Sequence, residues 1–212
     1  MSERPRVFLL SPARLDGQRG RMLLRLEAQF ALARALRTRD GAPIGDVFKF
    51  VSGLYFRGKL AYAKAFARPP ENAAWMGSGA LVITQNRGLV SAETRVCLEH
   101  LEAFASTDIT AKEAAFRGPL ARDAKLVKEA LGDDGEVVLL GSIASTKYVE
   151  VLLEVFGERL LFPSEFVGRG DMSRGGLMLR QVDARQELTY VPVKGAKLHG
   201  ARPAKLEPRR RR

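Results

Sequence analysis

Cysteine and histidine are scarce in this sequence, which contains one cysteine, Cys97, and two histidines among 212 residues. A single cysteine excludes an internal disulfide and a multi-thiolate zinc site. His100 and His199 lie far apart in the chain without ligand-spaced companions, so we expect no metal site and no cofactor. We interpret Cys97 as a buried core thiol, because we find no histidine partner or cationic cluster for it in the sequence.

Long apolar runs are missing as well. The longest apolar helix candidate, residues 22–36, carries Arg25, Glu27 and Arg34, which argue against a membrane span. The apolar run at residues 7–10 is too short for the core of a signal peptide. We therefore expect a cytoplasmic protein with no membrane partner.

Acidic residues are outnumbered, and the net charge is +11. Residues 194–212 alone carry +7, so the preceding 193 residues carry an unremarkable +4. Apolar residues make up 46% of the chain, which is ordinary for a globular protein. We predict a single α/β domain over residues 1–193, followed by a basic, flexible tail over residues 194–212.

Short apolar runs of strand type alternate with helical segments in the first 157 residues, which predicts a parallel sheet. Further β-type runs near the C-terminus follow one another without helices and predict short antiparallel strands. The fold class is therefore α/β, with a mixed, mostly parallel sheet and flanking helices. The predicted strands are 6–10, 80–84, 136–140, 159–162, 177–182 and 187–193, with a hairpin at 183–186; the predicted helices are 22–37, the second half of 48–67, 97–105, 119–131 and 147–156.

Polar residues follow the first three strands, and ligands of open parallel sheets bind beyond the carboxyl ends of the strands. After the third strand, a Gly-Ser turn leads into a predicted helix start, where free backbone N–H groups attract anions. The turn is not a Walker A loop, because it lacks the second glycine and the following hydroxyl. The alternative is that Ser145 or Thr146 only caps the helix. The candidate phosphate- or carboxylate-binding residues are Ser11, Arg14, Asn86, Arg87, Ser142, Ser145, Thr146 and Lys147.

Residues 168–176 contain four glycines and two arginines, Arg169 and Arg174. Glycine lets the backbone approach a partner closely, and guanidinium groups bind planar anions through two hydrogen bonds. We predict that this loop folds over the strand ends and contributes both arginines to the anion site. A mobile turn before a strand is the alternative.

Two segments are candidates for nucleic-acid binding. Residues 56–62 mix aromatic side chains with Arg57 and Lys59, as nucleic-acid surfaces do. The alternative is an amphipathic helix whose cations extend along its surface into water. In the tail, the expected non-specific contacts are Arg209, Arg210, Arg211 and Arg212.

The same segments, in the same order, resemble the YaaA-like peroxide-stress protein family. Residues 9–14 are similar to its opening strand and S-P-A-K turn, with Arg14 in place of the lysine. Phe56-Arg57-Gly58 followed by Tyr62 resembles F-K-G-x-x-Y, and residues 137–148 resemble a strand followed by L-A-S-x-x-Y. Residues 169–174 resemble A-R-G-x-M-[SA]-R. The resemblance implies a mixed α/β fold, a cytoplasmic location and double-stranded DNA binding linked to oxidative stress.

Two functions are open at this point. The first is nucleic-acid binding, with duplex DNA or another nucleic acid as the partner. The second is a small enzyme or sensor that binds a nucleotide or other phosphorylated ligand at the strand ends. No catalytic residue is assigned, and a basic groove or a closed pocket would distinguish the two functions.

Overall fold

The computed structural model of the chain describes residues 4–110, 112–144, 146–204 and 206–207. Its central strands are formed by short, mostly apolar segments, as expected for strands buried on both faces. The strands are β1 (Arg6–Leu10), β2 (Ala42–Pro43), β3 (Ala80–Ile83), β4 (Leu89–Ser91), β5 (Arg95–Val96), β6 (Glu136–Leu140), β7 (Leu160–Pro163) and β8 (Tyr190–Pro192).

Helices fill most of the connections between these strands. The longest one begins where the Glu113 carboxylate accepts a hydrogen bond from the Ala115 N–H, and it ends at Gly132, whose φ is +63°. The helices are α1 (Gln18–Leu24), α2 (Ala31–Leu36), α3 (Ile44–Ser52), α4 (Leu54–Phe66), α5 (Leu98–Ala105), α6 (Ala114–Leu131), α7 (Thr146–Phe156) and α8 (Asp171–Ala184).

The main sheet has six strands in the order β4-β3-β1-β6-β7-β8. β1 pairs in parallel with both β3 and β6, and β6 pairs in parallel with β7. β4 and β8 are antiparallel edge strands, while β2 and β5 form a separate two-stranded sheet. The predicted fold class, a mixed and mostly parallel sheet with flanking helices, is confirmed.

Both faces of the sheet are covered, because successive side chains of a strand point to opposite sides. Phe8 and Leu10 of β1 belong to a core cluster with residues of α3, α4 and α8. Val7 and Leu9 belong to a second cluster with residues of α6 and α7. The two clusters hold the sheet between helix layers.

Helices α4 and α8 cross at two glycines. A Cβ atom added to Gly58 would lie 2.6 Å from the carbonyl oxygen of Gly175, so only glycine fits this crossing. This close approach holds the N-terminal end of α8, with Asp171, at the carboxyl edge of the sheet.

The predicted strand at 177–182 and hairpin at 183–186 are wrong, because residues 171–184 form α8. A short apolar run does not distinguish a strand from the buried face of a helix. Met178 is buried in the core cluster that also contains residues of α4. A helix can bury this side chain against α4 without pairing to a neighbouring strand. The following segment pairs only over β8 (Tyr190–Pro192).

The described part of the tail lies beside α8. Arg180 donates a hydrogen bond to the carbonyl oxygen of Glu207, and Arg169 donates one to that of Ala204. Flexibility of the tail stays a prediction, and residues 209–212 lie outside the described residues. Within the described part of the chain, no helix is both long and apolar enough to cross a membrane.

Candidate functional site

The carboxyl ends of β3, β1 and β6 lie side by side at one edge of the sheet, as the sequence predicts. The chain leaves β1 for β3 on one side and later returns to β6 on the other, so β1 and β6 flank a topological switch point, the usual ligand position in open sheets. A cavity of about 410 Å³ opens there, which we call the strand-end pocket. Its polar lining residues are Ser11, Arg14, Ser52, Tyr55, Lys59, Ser142, Lys147, Tyr148 and Asp171.

Four of the predicted anion-site residues line this pocket: Ser11, Arg14, Ser142 and Lys147. Ser11 is buried, whereas Lys147 is exposed at the rim. The Arg14 side chain is 83% exposed and pairs with Asp16 at 2.5 Å. An exposed ion pair contributes little to stability, so Asp16 does not prevent Arg14 from contacting a ligand. For the same reason, an exposed Arg14 would add little to the binding energy of that ligand.

Other predicted residues do not line the pocket. Asn86 donates hydrogen bonds to the carbonyl oxygen of Ala103 and to Thr107 Oγ1, so its side-chain NH₂ group is engaged within the protein. Arg87 is exposed beside it, and Thr146 is the exposed first residue of α7. Ser145 lies outside the described residues.

The glycine-rich segment does not fold over the strand ends as an arginine-bearing loop, because its second half is helical. Arg169 donates to the Glu165 carbonyl oxygen and to Ser173 Oγ, and it lines a different cleft. Arg174 donates two hydrogen bonds to the Phe166 carbonyl oxygen and stacks on the Phe166 ring. The segment places Asp171 in the strand-end pocket instead.

Lys59 is the most unusual residue of the pocket, because it is only 1% exposed. Its Nζ donates to the carbonyl oxygen of Ser11 at 2.7 Å and to Ser11 Oγ at 2.9 Å. It also lies 4.5 Å from the ring centre of Tyr55 and 4.7 Å from that of Phe56. Lys59 therefore neither extends into water nor lies at a surface that a nucleic acid could contact, which corrects both interpretations for this residue; Arg57 of the same helix is exposed.

No described carboxylate lies within ion-pair distance of Lys59. Burial lowers its pKa to about 7, and the negative charge of Asp171 opposes this fall only in part. The Asp171 side chain is 69% exposed, so water screens its charge. The pocket thus contains a buried amine without a direct counter-charge.

Tyr55 supplies a second unsatisfied group. Among the described residues, its buried hydroxyl has no close hydrogen-bond partner. Burial raises the Tyr55 pKa, and Arg174 opposes this rise through its positive charge and through a long side-chain hydrogen bond to the hydroxyl. Because arginine only donates, the O–H of Tyr55 is still left without an acceptor. A buried hydroxyl is costly to leave unpaired, so a ligand atom that reaches it gains a favourable hydrogen bond.

The Gly-Ser turn after β6 is held by Tyr148. The Tyr148 hydroxyl donates to the Ser142 carbonyl oxygen at 3.0 Å and accepts from the Ser142 N–H at 3.2 Å. The Ser142 N–H is therefore paired with this hydroxyl and is not free for a ligand. Tyr148 fixes the turn, and Lys59 and Tyr55 are the buried pocket groups that can still take a hydrogen-bond acceptor.

The charge of the pocket favours an anion. Lys59, Arg14 and Lys147 line it, and Asp171 is the one acid among its described lining residues. Because low-dielectric walls strengthen charge interactions, the buried Lys59 counts for more than the two cations at the rim.

The burial of Lys59 could have been predicted from helix periodicity. Phe56, Lys59 and Ala63 follow the i, i+3, i+7 spacing of one helix face, whereas Arg57 falls on another. All three members of that face are buried. A lysine on an otherwise apolar helix face therefore indicates a buried amine from the sequence alone. The positions of Tyr148 and Asp171 beside it depend on the tertiary structure.

Cys97 does have a histidine partner, which corrects the sequence interpretation. His100 Nδ1 accepts a hydrogen bond from the Cys97 N–H at 3.1 Å and lies 3.3 Å from its sulfur, at the start of α5. Burial and the charge of Arg87 lower the His100 pKa. Cys97 is half-buried and does not line the strand-end pocket, so we assign this pair to helix capping.

Two broader tests of function give no further assignment. Among the described residues, no group of three or more His, Cys, Asp or Glu residues could hold a metal ion. Comparison of the chain with models of protein families, with curated proteins and with solved structures found no match. The resemblance to the YaaA-like family therefore stays a prediction.

Proposed function

We propose that this protein binds a small anionic ligand, a phosphate ester or a carboxylate, in the strand-end pocket. The observation that carries the proposal is Lys59, a buried amine in the pocket wall with no described carboxylate at ion-pair distance. Burial disfavours the charged form of this amine, and a bound anion offsets that cost.

The size and position of the pocket agree with this function. A cavity of about 410 Å³ suits a small molecule and lies at the switch point of the sheet. Tyr55, whose hydroxyl lacks a described acceptor, can donate to the same anion. Of the two functions that the sequence leaves open, the pocket therefore favours the second, a protein that binds a phosphorylated ligand.

A thermal-shift panel tests the proposal with sulfate, inorganic phosphate, adenosine monophosphate and citrate at constant ionic strength. A ligand present at a hundredfold excess over Kd stabilises the protein by about 2.7 kcal/mol. Charge-assisted hydrogen bonds contribute about 1.5–3 kcal/mol, so Lys59→Met should weaken binding about tenfold or more. Lys147 is exposed, and Lys147→Ala should weaken it only about two- to fivefold.

Lys128→Ala is the matched control, because Lys128 is exposed on α6 and does not line the pocket. It should leave every shift unchanged. A panel in which no anion stabilises the protein rejects the proposal, and so does a Lys59→Met protein with the parent's affinities.

Nucleic-acid binding is a second candidate with a separate observation in its favour. Arg57 is exposed and lines a cleft with Arg19 and Lys49, on the other side of α4 from Lys59. Asp46 also lines this cleft and pairs with Lys49, so Arg57 and Arg19 supply its net positive charge. We propose that any nucleic acid binds through this cleft and the basic tail. Each lost phosphate contact should reduce the salt slope of duplex DNA binding by about 0.9. If Arg57→Ala and Lys128→Ala have equal slopes, the cleft is not the binding surface.

A further inference from the structure

The hydrogen bonds of Lys59 indicate that it changes protonation state when the pocket fills. A neutral amine has two N–H groups, and Ser11 offers two acceptors, its carbonyl oxygen and its Oγ. An ammonium has a third N–H, and no described residue accepts it in a hydrogen bond. The site without an anion is therefore complete for the amine and incomplete for the ammonium.

The groups around Lys59 do not supply the missing acceptor. On α4 itself, Tyr55 and Phe56 present ring faces to Nζ, which favour a cation but accept no conventional hydrogen bond. From α8, Asp171 acts only through its charge, and Arg174 is directed to the Phe166 carbonyl oxygen.

The other elements packed around the pocket add no carboxylate. From α7, the Tyr148 hydroxyl is engaged with Ser142, and Lys147 adds a positive charge at the rim. After β1, Arg14 adds another, although Asp16 pairs with it in solvent. The pocket therefore has room and positive potential for an anion, and its described residues offer no oxygen that accepts the third N–H.

We propose that a bound anion accepts the third N–H of Lys59, and that anion binding favours the ammonium form of this amine, with uptake of up to one proton where the free amine is neutral. This inference rests on the proposed function and adds that pH regulates ligand binding. Binding is tightest where the amine is already protonated and weakens as the pH rises. The expected ligand is an anion with an oxygen that can enter a narrow, largely buried position, such as a phosphoryl or carboxylate group.

The coupling between anion binding and protonation of Lys59 has a defined direction and size. Burial lowers the Lys59 pKa to about 7 in the free protein, and an adjacent anion raises it. Each unit of that rise corresponds to about tenfold tighter binding of the anion to the ammonium form than to the amine form. Above pH 7, the affinity should therefore fall by up to about tenfold per pH unit.

The test is an NMR titration of the protein labelled with ¹³C at the lysine Cε positions. Spectra are recorded from pH 5.5 to 9.5 in sodium chloride and in sodium sulfate of equal ionic strength. Sulfate is the probe because it takes up no proton in this range, so a change in titration belongs to the protein. Lys59→Met identifies the Lys59 signal by its loss, and Lys147 provides an exposed lysine of the same pocket for comparison.

We expect the Lys59 midpoint to lie near 7 in chloride and to rise by at least about one unit in sulfate. A midpoint that is equal in the two salts, or already above 9 in chloride, overturns the inference. If sulfate shifts other pocket signals while the Lys59 midpoint stays fixed, anion binding survives and proton uptake fails. If sulfate shifts no pocket signal at any pH, both proposals fail.

Discussion

The stability of the folded protein should depend on pH through Lys59, and replacing this residue by methionine should remove that dependence. Methionine is similar in length, apolar and flexible, so it can occupy the space beside Tyr55 and Phe56. It lacks the amine, and the two acceptors of Ser11 lose their donor. That loss costs about 1–3 kcal/mol and does not vary with pH.

The magnitude follows from the lowered pKa. Burial lowers the Lys59 pKa from 10.5 to about 7, so between these values the unfolded chain holds a proton that the folded protein lacks. The free energy of unfolding therefore rises with pH in this window, by at most about 1.4 kcal/mol per unit. Between pH 7 and pH 9 the expected gain is about 2 kcal/mol.

Urea unfolding at pH 6.5, 7, 8 and 9 measures this gain in the parent and in Lys59→Met. The parent should gain about 2 kcal/mol from pH 7 to pH 9 relative to Lys59→Met. Lys147→Met is the matched control, because it removes an exposed lysine of the same pocket and should keep the parent's slope. Parallel stability profiles for the parent and Lys59→Met would refute the reasoning, because they would mean that Lys59 is not held as a buried, unpaired amine.

Three further predictions test other parts of the structure. Tyr55→Phe removes a buried hydroxyl that has no acceptor among the described residues, so urea unfolding should show equal or greater stability. Calorimetry should show that the same substitution weakens anion binding by about 0.5–1.5 kcal/mol. Gly58→Ala places a Cβ 2.6 Å from the Gly175 carbonyl oxygen, so urea unfolding should show a loss of about 1–3 kcal/mol in stability, and an unchanged stability would mean that α4 and α8 do not cross this closely. Deleting residues 209–212 should flatten the salt dependence of duplex DNA binding by up to about 0.9 log units per lost phosphate contact, and an unchanged slope would exclude the tail as the main contact.

The sheet could be predicted because its strands are short apolar runs that end in turn residues. β1, β3 and β6 form where the sequence places them, and their parallel pairing follows from the helices between them. The prediction that their carboxyl ends converge is confirmed for the same reason. Residues 177–182 could not be assigned in this way, because their conformation depends on packing of α8 against α4.

The candidate site could be predicted only in part, since sequence spacing locates loops but not the helices that pack across them. Ser11, Arg14, Ser142 and Lys147 lie in loops that directly follow strands, and all four line the pocket. Ser142 is one of the predicted site residues, but its N–H already bonds to the Tyr148 hydroxyl, a contact that depends on how α7 packs on the turn. Tyr55 and Asp171 reach the pocket from α4 and α8, whose crossing at two glycines is a property of the tertiary fold.

A crystal structure with selenate, grown or soaked at about pH 6.5, tests anion binding at Lys59 most directly. Selenate has the shape and charge of sulfate, and its anomalous scattering locates it without ambiguity. We predict a selenium peak in the strand-end pocket, with a selenate oxygen within hydrogen-bond distance of Lys59 Nζ and a second one near the Tyr55 hydroxyl. Peaks only at exposed arginines, with Lys59 still bonded to Ser11 alone, would contradict it.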